Sequence, residues 1–420
     1  MNTFNFADLP FLSQKRVLEL GEPALRLNLS YLSSRMEKMV RESRVKTREM
    51  VCVVKERENR IFVRGEERHL NMHFKRKRLC QKEEEEELNI SGKYLLSRLT
   101  KFRPDAMTQH GSEFYTSFSH DIPSSLKNTL AVMNWMLGLL RPLRLRWKFD
   151  VVSNEDVKRL MSFPPFENAY IVEMKGGELN SEALSALIDH LKSAEYLVIQ
   201  CKLPLDFHHN QPFRFPIVTY KEARWVTLEH LLPMNFCRLN LGETNIGSCD
   251  LNKFLNEWIS KDCETVQSLT IMRLKEDIDW KTVMHGTRSL YFLDDETPTR
   301  LIIRMAKNEK NRVGKLGRIS SDDHRKFYFS AEPESEYPGK KALLQLLHLR
   351  AELEETTKFV SMNHEEFEKL EWDTEEKKER VKTIRISEPL KRDLDRQLRE
   401  VSRKLELRNV EFSQGMAMIR

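Results

Sequence analysis

Three clusters in this 420-residue chain hold the residue types of catalytic or ligand-binding sites. Ser119, His120 and Asp121 are the members of a hydrolase triad. A triad needs hydroxyl, imidazole and carboxylate to converge, and three adjacent residues cannot face one another that way. Asp121 is followed by Ile-Pro, the signature of a turn entering a helix. His208 and His209 could offer two imidazoles to a metal, but no cysteine or third ligand stands near them at metal-site spacing, so the pair reads as loop. The run KRKR at 75–78 could be a nuclear-import signal or a nucleic-acid patch. It lies beside EEEEE at 83–87, with no aromatic-interleaved basic face. Adjacent blocks of opposite sign predict a solvated connector, and nucleic acid is not the expected partner.

The cysteines are Cys52, Cys80, Cys201, Cys237, Cys249 and Cys263. They form no CxxC pair, no disulfide framework and no zinc-ligand spacing, so reduced, mostly buried thiols of a cytoplasmic or nuclear protein are expected. There is no GxxxxGK[ST], GxGxxG or HExxH. With no nucleophile–base or metal set, the sequence predicts neither an enzyme nor a cofactor.

The stretch DLNKFLNEWI at 250–259 also mixes carboxylates, amides and a tryptophan. Its periodicity decides between site and packing. Leu251, Phe254, Leu255, Trp258 and Ile259 fall on one stripe of a 3.6-residue helix. Asp250 stands where a helix cap belongs, and Asn252, Lys253, Asn256 and Glu257 fall off the stripe as solvated residues. Trp225 reads as core in the same way.

The elements around these residues alternate. Residues 6–43 read as three short helices, with Gly21 ending the first and Pro23 opening the second. That is too little surface for a robust free-standing core. TREMVCVV, RIFV and RHLNMHF between 47 and 74 are short β-rich runs, taken as a small hairpin ahead of the charged connector. From about 120 to 310, helix-like stretches (124–140, 154–163, 180–193, 228–234, 250–259, 277–286) alternate with strand-like ones (145–152, 169–174, 194–201, 237–242, 266–272, 288–293). One strand and one helix per repeat predict a degenerate leucine-rich-repeat-like α/β body, with a doubly wound sheet as the alternative. Gly176-Gly177 reads as a strand-to-helix turn. Residues 307–326 read as a charged loop. Residues 340–359 and 389–412 read as a helical C-terminal extension within 335–420.

Hydrophobic content of 40% and charged content of 32% suit a folded, charge-rich protein. No apolar run reaches the ~18 residues of a membrane span, and MNTFNFADLP carries no basic leader into an apolar core, so no secretory signal and no membrane partner are expected. Net charge is +6. Residues 1–82 hold 19 Lys and Arg against 10 Asp and Glu, which favours an acidic partner there, whereas 335–420 balance at 18 against 18.

Two stretches resemble known patterns. FNFADLPFLSQKRVLELGEPALRLNLSYLSSRMEKMV, within 4–45, resembles an F-box of the nematode-expanded type, with Leu9-Pro10, Val17-Leu18 and Pro23 at that motif's spacing, although Arg26 interrupts its apolar face. ARWVTLEHLLPMNFCRLNLGETNIGSCDLNKFLNEWI, 223–259, is similar to the nematode F-box-associated domain, type 2, placed within 120–310. The resemblance implies a substrate-recognition subunit of an SCF-type cullin–RING ubiquitin ligase. Leu9, Pro10, Val17, Leu18, Leu27 and Leu29 would contact the Skp-family adaptor, which links to the cullin complex. The associated domain would hold an unidentified target protein. By analogy with repeat arcs, the strand face near Tyr170, Val172, Tyr196, Val198, Arg238 and Asn240 would meet that target. The alternative is a binding scaffold independent of ubiquitin, oligomeric through the C-terminal helices.

Overall fold

The computed structural model describes residues 9–21, 23–43, 46–55, 58–65, 68–75, 106–110, 113–120, 126–261, 265–287, 289–294, 297–304, 315–333, 410–413 and 416–419, with 358, 389, 392–393, 395–397 and 399–400. The chain divides into two compact units, Met1–Trp225 and Val226–Arg420, both α/β.

The first unit opens with three helices, α1 (Phe11–Leu20), α2 (Pro23–Leu32) and α3 (Ser34–Glu42). Pro23 occupies the first position of α2, where its missing N–H costs nothing. Ser33 caps α3, its Oγ accepting the Met36 N–H at 3.1 Å. Arg26 does not mar an apolar face as the sequence suggests. It is buried, and its Nε donates to the Leu18 carbonyl at 3.1 Å, tying α2 to the end of α1. Helix α4 (Leu126–Leu140) packs against α3. Trp135 Nε1 and Arg41 Nη2 both donate to Glu37 Oε1, at 3.1 and 2.9 Å. Gly138 lets the Arg41 guanidinium cross α4 closely: a Cβ there would sit 2.1 Å from Arg41 Nη1.

A mixed sheet forms the rest of this unit. It contains β1 (Thr47–Val54), β2 (Glu58–Arg64), β3 (Arg68–Lys75), β4 (Ala106–His110), β5 (Glu113–His120), β6 (Pro142–Phe149), β7 (Ile171–Met174), β8 (Tyr196–Ile199) and β9 (Ile217–Ala223). Their order is β4–β5–β3–β2–β1–β6–β7–β8–β9. From β1 through β6 to β9 each neighbouring pair is parallel; β1–β2, β2–β3 and β4–β5 are antiparallel. Helix α5 (Asn154–Met161) and a 3-10 turn (Pro164–Asn168) connect β6 to β7, and α6 (Ser181–His190) connects β7 to β8. The antiparallel β1–β2–β3 run is not the separate small hairpin expected within 46–119. β1 joins the main sheet through parallel pairing with β6, and β4 and β5 add two strands where connector was expected. Hydrogen bonds seal this junction. Thr47 Oγ1 donates to the Leu140 carbonyl at 3.1 Å, and the buried Asn59 Nδ2 donates to Thr129 Oγ1 at 2.8 Å.

One sheet face is dry. Trp147, Phe149, Val172, Met174, Leu197, Ile199, Val218 and Tyr220 are buried there, each such side chain contributing about 1.5–3 kcal/mol. Trp147 stacks edge-on with Phe163 and Phe166 at 5.9 and 5.4 Å. Trp225 is core as expected, edge-on to Phe207 at 4.7 Å and to Tyr220 at 5.1 Å. Gly177, after β7, has φ +90 and bridges to Val152, and a Cβ there would sit 2.0 Å from the Val152 carbonyl oxygen.

The second unit contains α7 (Leu228–Leu231), β10 (Arg238–Thr244), α8 (Ser248–Ser260), β11 (Ser268–Arg273), α9 (Trp280–Val283), β12 (Ser289–Asp294), β13 (Thr297–Arg304), β14 (Lys315–Ser320), β15 (Phe327–Pro333), β16 (Val410–Ser413) and β17 (Met416–Ile419). Pairing runs β10–β11–β15–β14–β13–β12–β17–β16. Three expectations are corrected here. The charged loop at 307–326 contains strand β14. The body extends past 310, because β15 pairs with β11. Residues 410–412, expected to be helical, are strand, and β17 pairs with β12. The described positions between 389 and 400 are helical; the rest of the C-terminal helices, KRKR and the glutamate run lie outside the described residues, apart from Lys75 at the end of β3 and helical Lys358.

Candidate interaction surfaces

The groups that could have been catalytic do not converge. Ser119 and His120 end strand β5, and Asp121 lies outside the described residues. His209 Nε2 lies 3.2 Å from Asp189 Oδ1, and its Nδ1 accepts the Gln211 N–H at 3.1 Å, whereas His208 is exposed. Among the described residues no group of three His, Cys, Asp or Glu could hold a metal. Cys52 and Cys201 are buried, and burial raises both thiols, Cys201 to about 12. Cys249 is exposed, and Cys80 and Cys263 lie outside the described residues.

Helix α8 answers the question DLNKFLNEWI raises. Leu251, Phe254, Leu255 and Trp258 are all buried. Trp258 and Phe254 meet the Phe329 ring edge-on at 5.0 and 5.6 Å. The helix begins at Ser248, so Asp250 is its third residue and reaches back to accept the Gly247 N–H at 3.1 Å. Asn252 is not merely solvated. Its Nδ2 donates to the Val283 and His285 carbonyls at 2.9 and 2.7 Å, clamping α8 to the open end of α9. The only sequence signal for this is a polar residue one position off the stripe, which solvated residues share.

The six N-terminal residues separate into two sets. Leu18, Leu27 and Leu29 are buried in the chain's own core, Leu9 is half-buried, and Pro10 and Val17 are exposed. The exposed apolar side chains of these helices also include residues outside that set. Phe11, Leu12 and Leu20 are 62%, 77% and 69% exposed on α1, and Leu25 extends the surface onto α2. Gln14 takes the inward position instead, buried with its Nε2 on the Leu9 carbonyl at 2.7 Å. A helix apolar on two sides hides which side is outward.

The strand-face residues are nearly all on the face opposite the dry core. In the first unit Tyr196 and Val198 share it with Ile171 and Glu173, to which they are directly paired. Val172 is the exception: it is fully buried, and its neighbours in the strand take the place expected for it. Tyr170 packs on Tyr196 at 5.8 Å between ring centroids, and its hydroxyl donates to Glu195 Oε2 at 2.8 Å. In the second unit Arg238 is exposed and Asn240 half-buried, while Leu239 and Leu241 between and beyond them are buried. Arg238 Nε donates to Gln267 Oε1 at 3.2 Å.

Cationic side chains share the open face of the first sheet. Arg144, Arg146 and Lys148 alternate along β6. Arg146 and Lys148 both pair with Glu173, Lys148 at 3.2 Å. Burial pushes the Glu173 carboxyl up, and the hydrogen bonds and charges of Arg146 and Lys148 outweigh it, leaving it below the usual range. Arg144 lies over the Tyr170 ring, 4.6 Å from its centroid.

These arrangements define an α/β protein of mixed sheets and flanking helices. Residues 200–271 match the family model FBA_2, described as F-box associated. Two uncharacterized proteins of Caenorhabditis elegans are similar to it. F59B2.9 is 24% identical over 280 residues, 66% of this chain and 64% of its own length. F59B2.8 is 19% identical over 259 residues, 61% of this chain and 58% of its own length. The chain thus spans about three fifths of the curated relatives it matches. No solved structure matches it significantly. Among the described residues no helix is long and apolar enough to cross a membrane.

Proposed function

We propose that the chain is a substrate-recognition subunit of an SCF-type ubiquitin ligase and catalyses nothing itself. In this reading α1–α3 form an F-box. Leu9, Pro10 and Val17, with Phe11, Leu12 and Leu20, cover the Skp-family adaptor, while Leu18, Leu27 and Leu29 hold the helices that present them. The observation that carries the reading is that exposed apolar surface, upstream of a segment matching an F-box-associated model. Several large apolar side chains left this exposed on one short helix mark a candidate partner site. The consecutive parallel order of β6 to β9 supports a leucine-rich-repeat-like arc, with the target held on its open strand face. Holding a target beside the ligase raises its effective concentration at the transfer site.

The test is a pulldown of the purified full chain with the purified adaptor, beside a Leu9→Ala/Pro10→Ala variant and a Leu12→Asp variant. The intact chain should bind, and both variants should lose binding while keeping its circular dichroism. A folded intact chain that does not bind the adaptor defeats this reading.

A further inference from the structure

Side-chain rows across the first unit's sheet give its open face a chemical character that the family match does not. The register aligns Phe62, Val51, Arg146, Ile171, Tyr196 and Ile217 in one row across β2, β1, β6, β7, β8 and β9. A second row aligns Arg60, Val53, Lys148, Glu173, Val198 and Thr219. On the other side, Arg64, Glu49 and Arg144 align. Rows on one face stand about 6.5–7 Å apart along the strands. A largely apolar row is therefore flanked by two rows bearing cations.

The charges do not cancel. Arg60, Arg64, Arg144, Arg146 and Lys148 share the β2–β1–β6–β7 part of the face with Glu49, Glu58 and Glu173. Glu173 serves two cations at once, Glu58 pairs with Arg60 at 2.9 Å, and Arg144 is engaged by an aromatic ring. Arg144 and Arg64 are exposed, and Phe62, Val53, Ile171, Tyr196 and Val198 are half-buried, so apolar and cationic groups are presented together.

We propose that the β2–β1–β6–β7 face binds an acidic peptide segment of a partner protein, its carboxylates meeting Arg64, Arg144, Arg146 and Lys148 and its apolar side chains lying on Phe62, Val53 and Ile171. This deepens the substrate-recognition reading and rests on it for the identity of the partner as a target. Charge complementarity selects the occupant. Glu49, Glu58 and Glu173 interleave with the cations and would repel a continuous phosphate backbone, whereas a peptide can space its carboxylates and fill the gaps with apolar side chains. The site lies on strands outside residues 200–271, so target reading would extend well beyond the matched segment.

The test is selection of a random twelve-residue peptide display library on the immobilised full chain, followed by titration of an enriched peptide. Enriched sequences should combine Asp or Glu with aliphatic or aromatic residues. Their binding should weaken about tenfold in Arg144→Glu/Lys148→Glu, and should fall as NaCl is raised from 0.1 to 1 M, where the screening length shrinks from ~10 to ~3 Å. Arg144→Gln/Lys148→Gln, which places no new charge beside Glu173, should weaken binding by a smaller factor in the same direction, so a misfolded double reversal does not decide the result. Enrichment of neutral or basic peptides, or binding indifferent to both variants, overturns the proposal. A twenty-nucleotide single-stranded DNA that binds more tightly than the peptide and is lost in the same variants also overturns it, in favour of nucleic acid. Both variants should still bind the adaptor. Loss of adaptor binding by the intact chain with peptide binding kept would defeat the ligase reading alone.

Discussion

Gly317 on β14 offers the sharpest test of how the second unit is packed. A Cβ at this position would lie 2.8 Å from Ile302 Cγ1, 2.8 Å from Phe329 Cε2 and 3.0 Å from Trp258 Cζ3. All three neighbours are buried, and two are rings held edge to face. None can swing into solvent to make room, unlike the Arg41 guanidinium that Gly138 meets in the first unit. Overpacking of this kind costs about 1–3 kcal/mol. Replacing glycine by alanine restricts the unfolded chain and returns about 0.4–1 kcal/mol. Gly317→Ala should therefore destabilise by about 1–2 kcal/mol, lowering Tm by about 2–8 °C for a unit of 150–250 residues. The assay is thermal unfolding followed by tryptophan fluorescence, run as a double-mutant cycle with Phe329→Leu, which removes the nearest ring atom. The two substitutions in contact should couple favourably by at least ~0.5 kcal/mol. A Tm unchanged or raised in Gly317→Ala, or strict additivity with Phe329→Leu, would refute the packing described for α8 against the β13–β15 strands.

Asn252→Ala removes both hydrogen bonds from α8 to the end of α9. It should cost about 1–2 kcal/mol and speed amide exchange at 280–285, read by mass spectrometry. Gly177→Ala combines φ +90 with a Cβ 2.0 Å from the Val152 carbonyl oxygen. It should cost more than about 2 kcal/mol in chemical denaturation, against the mild effect expected for Gly138→Ala. Glu173 titrates below its ordinary value of 4.5, so the stability it contributes is present above that value and lost as pH falls through the lowered one. In Arg146→Gln/Lys148→Gln only burial remains, and the Glu173 carboxyl should move above 4.5 in an NMR titration. No upward movement would mean that the two cations do not set its charge.

What the sequence discloses follows its periodicities. The stripe Leu251, Phe254, Leu255 and Trp258 is buried as a period of 3.6 requires, and Leu239 and Leu241 alternate inward on β10 as a period of 2 requires. Ile171 and Val172 are adjacent and both apolar, so the pair alone does not say which is inward; Glu173, two residues after Ile171, is the one polar residue of the strand and shares the open face with it. The pairing of β7 with β6 aligns Ile171 and Glu173 with Arg146 and Lys148 and Val172 with the buried Trp147, which puts Val172 on the dry face. The composition of KLGRIS, with Gly317 at its centre, looks like loop. It becomes strand by pairing with β13 and β15, and the rings of Trp258 and Phe329 leave room at 317 for nothing larger than glycine. Pairings such as β1 with β6 depend on segments about ninety residues apart, which no local pattern encodes.

The N-terminal helices show why burial, and not motif spacing, must decide which residues meet a partner. Motif spacing marks Leu18, Leu27 and Leu29 together with Val17, yet the first three are consumed by the chain's own core. Three short helices need that core, since they cannot bury enough surface among themselves. They obtain it from α4, through the Glu37, Arg41 and Trp135 contacts, and α4 in turn rests on β1 and β2 through Thr47 and Asn59. The same strands, β1 and β2, carry Val53, Phe62 and Arg64 on the open face. The helices that expose Phe11 and Leu12 and the strands that expose the cationic rows therefore share one continuous packing path within the first unit. A binding subunit that must hold one protein at a set distance from another gains from such a path, because effective concentration falls when the connection between two sites is slack.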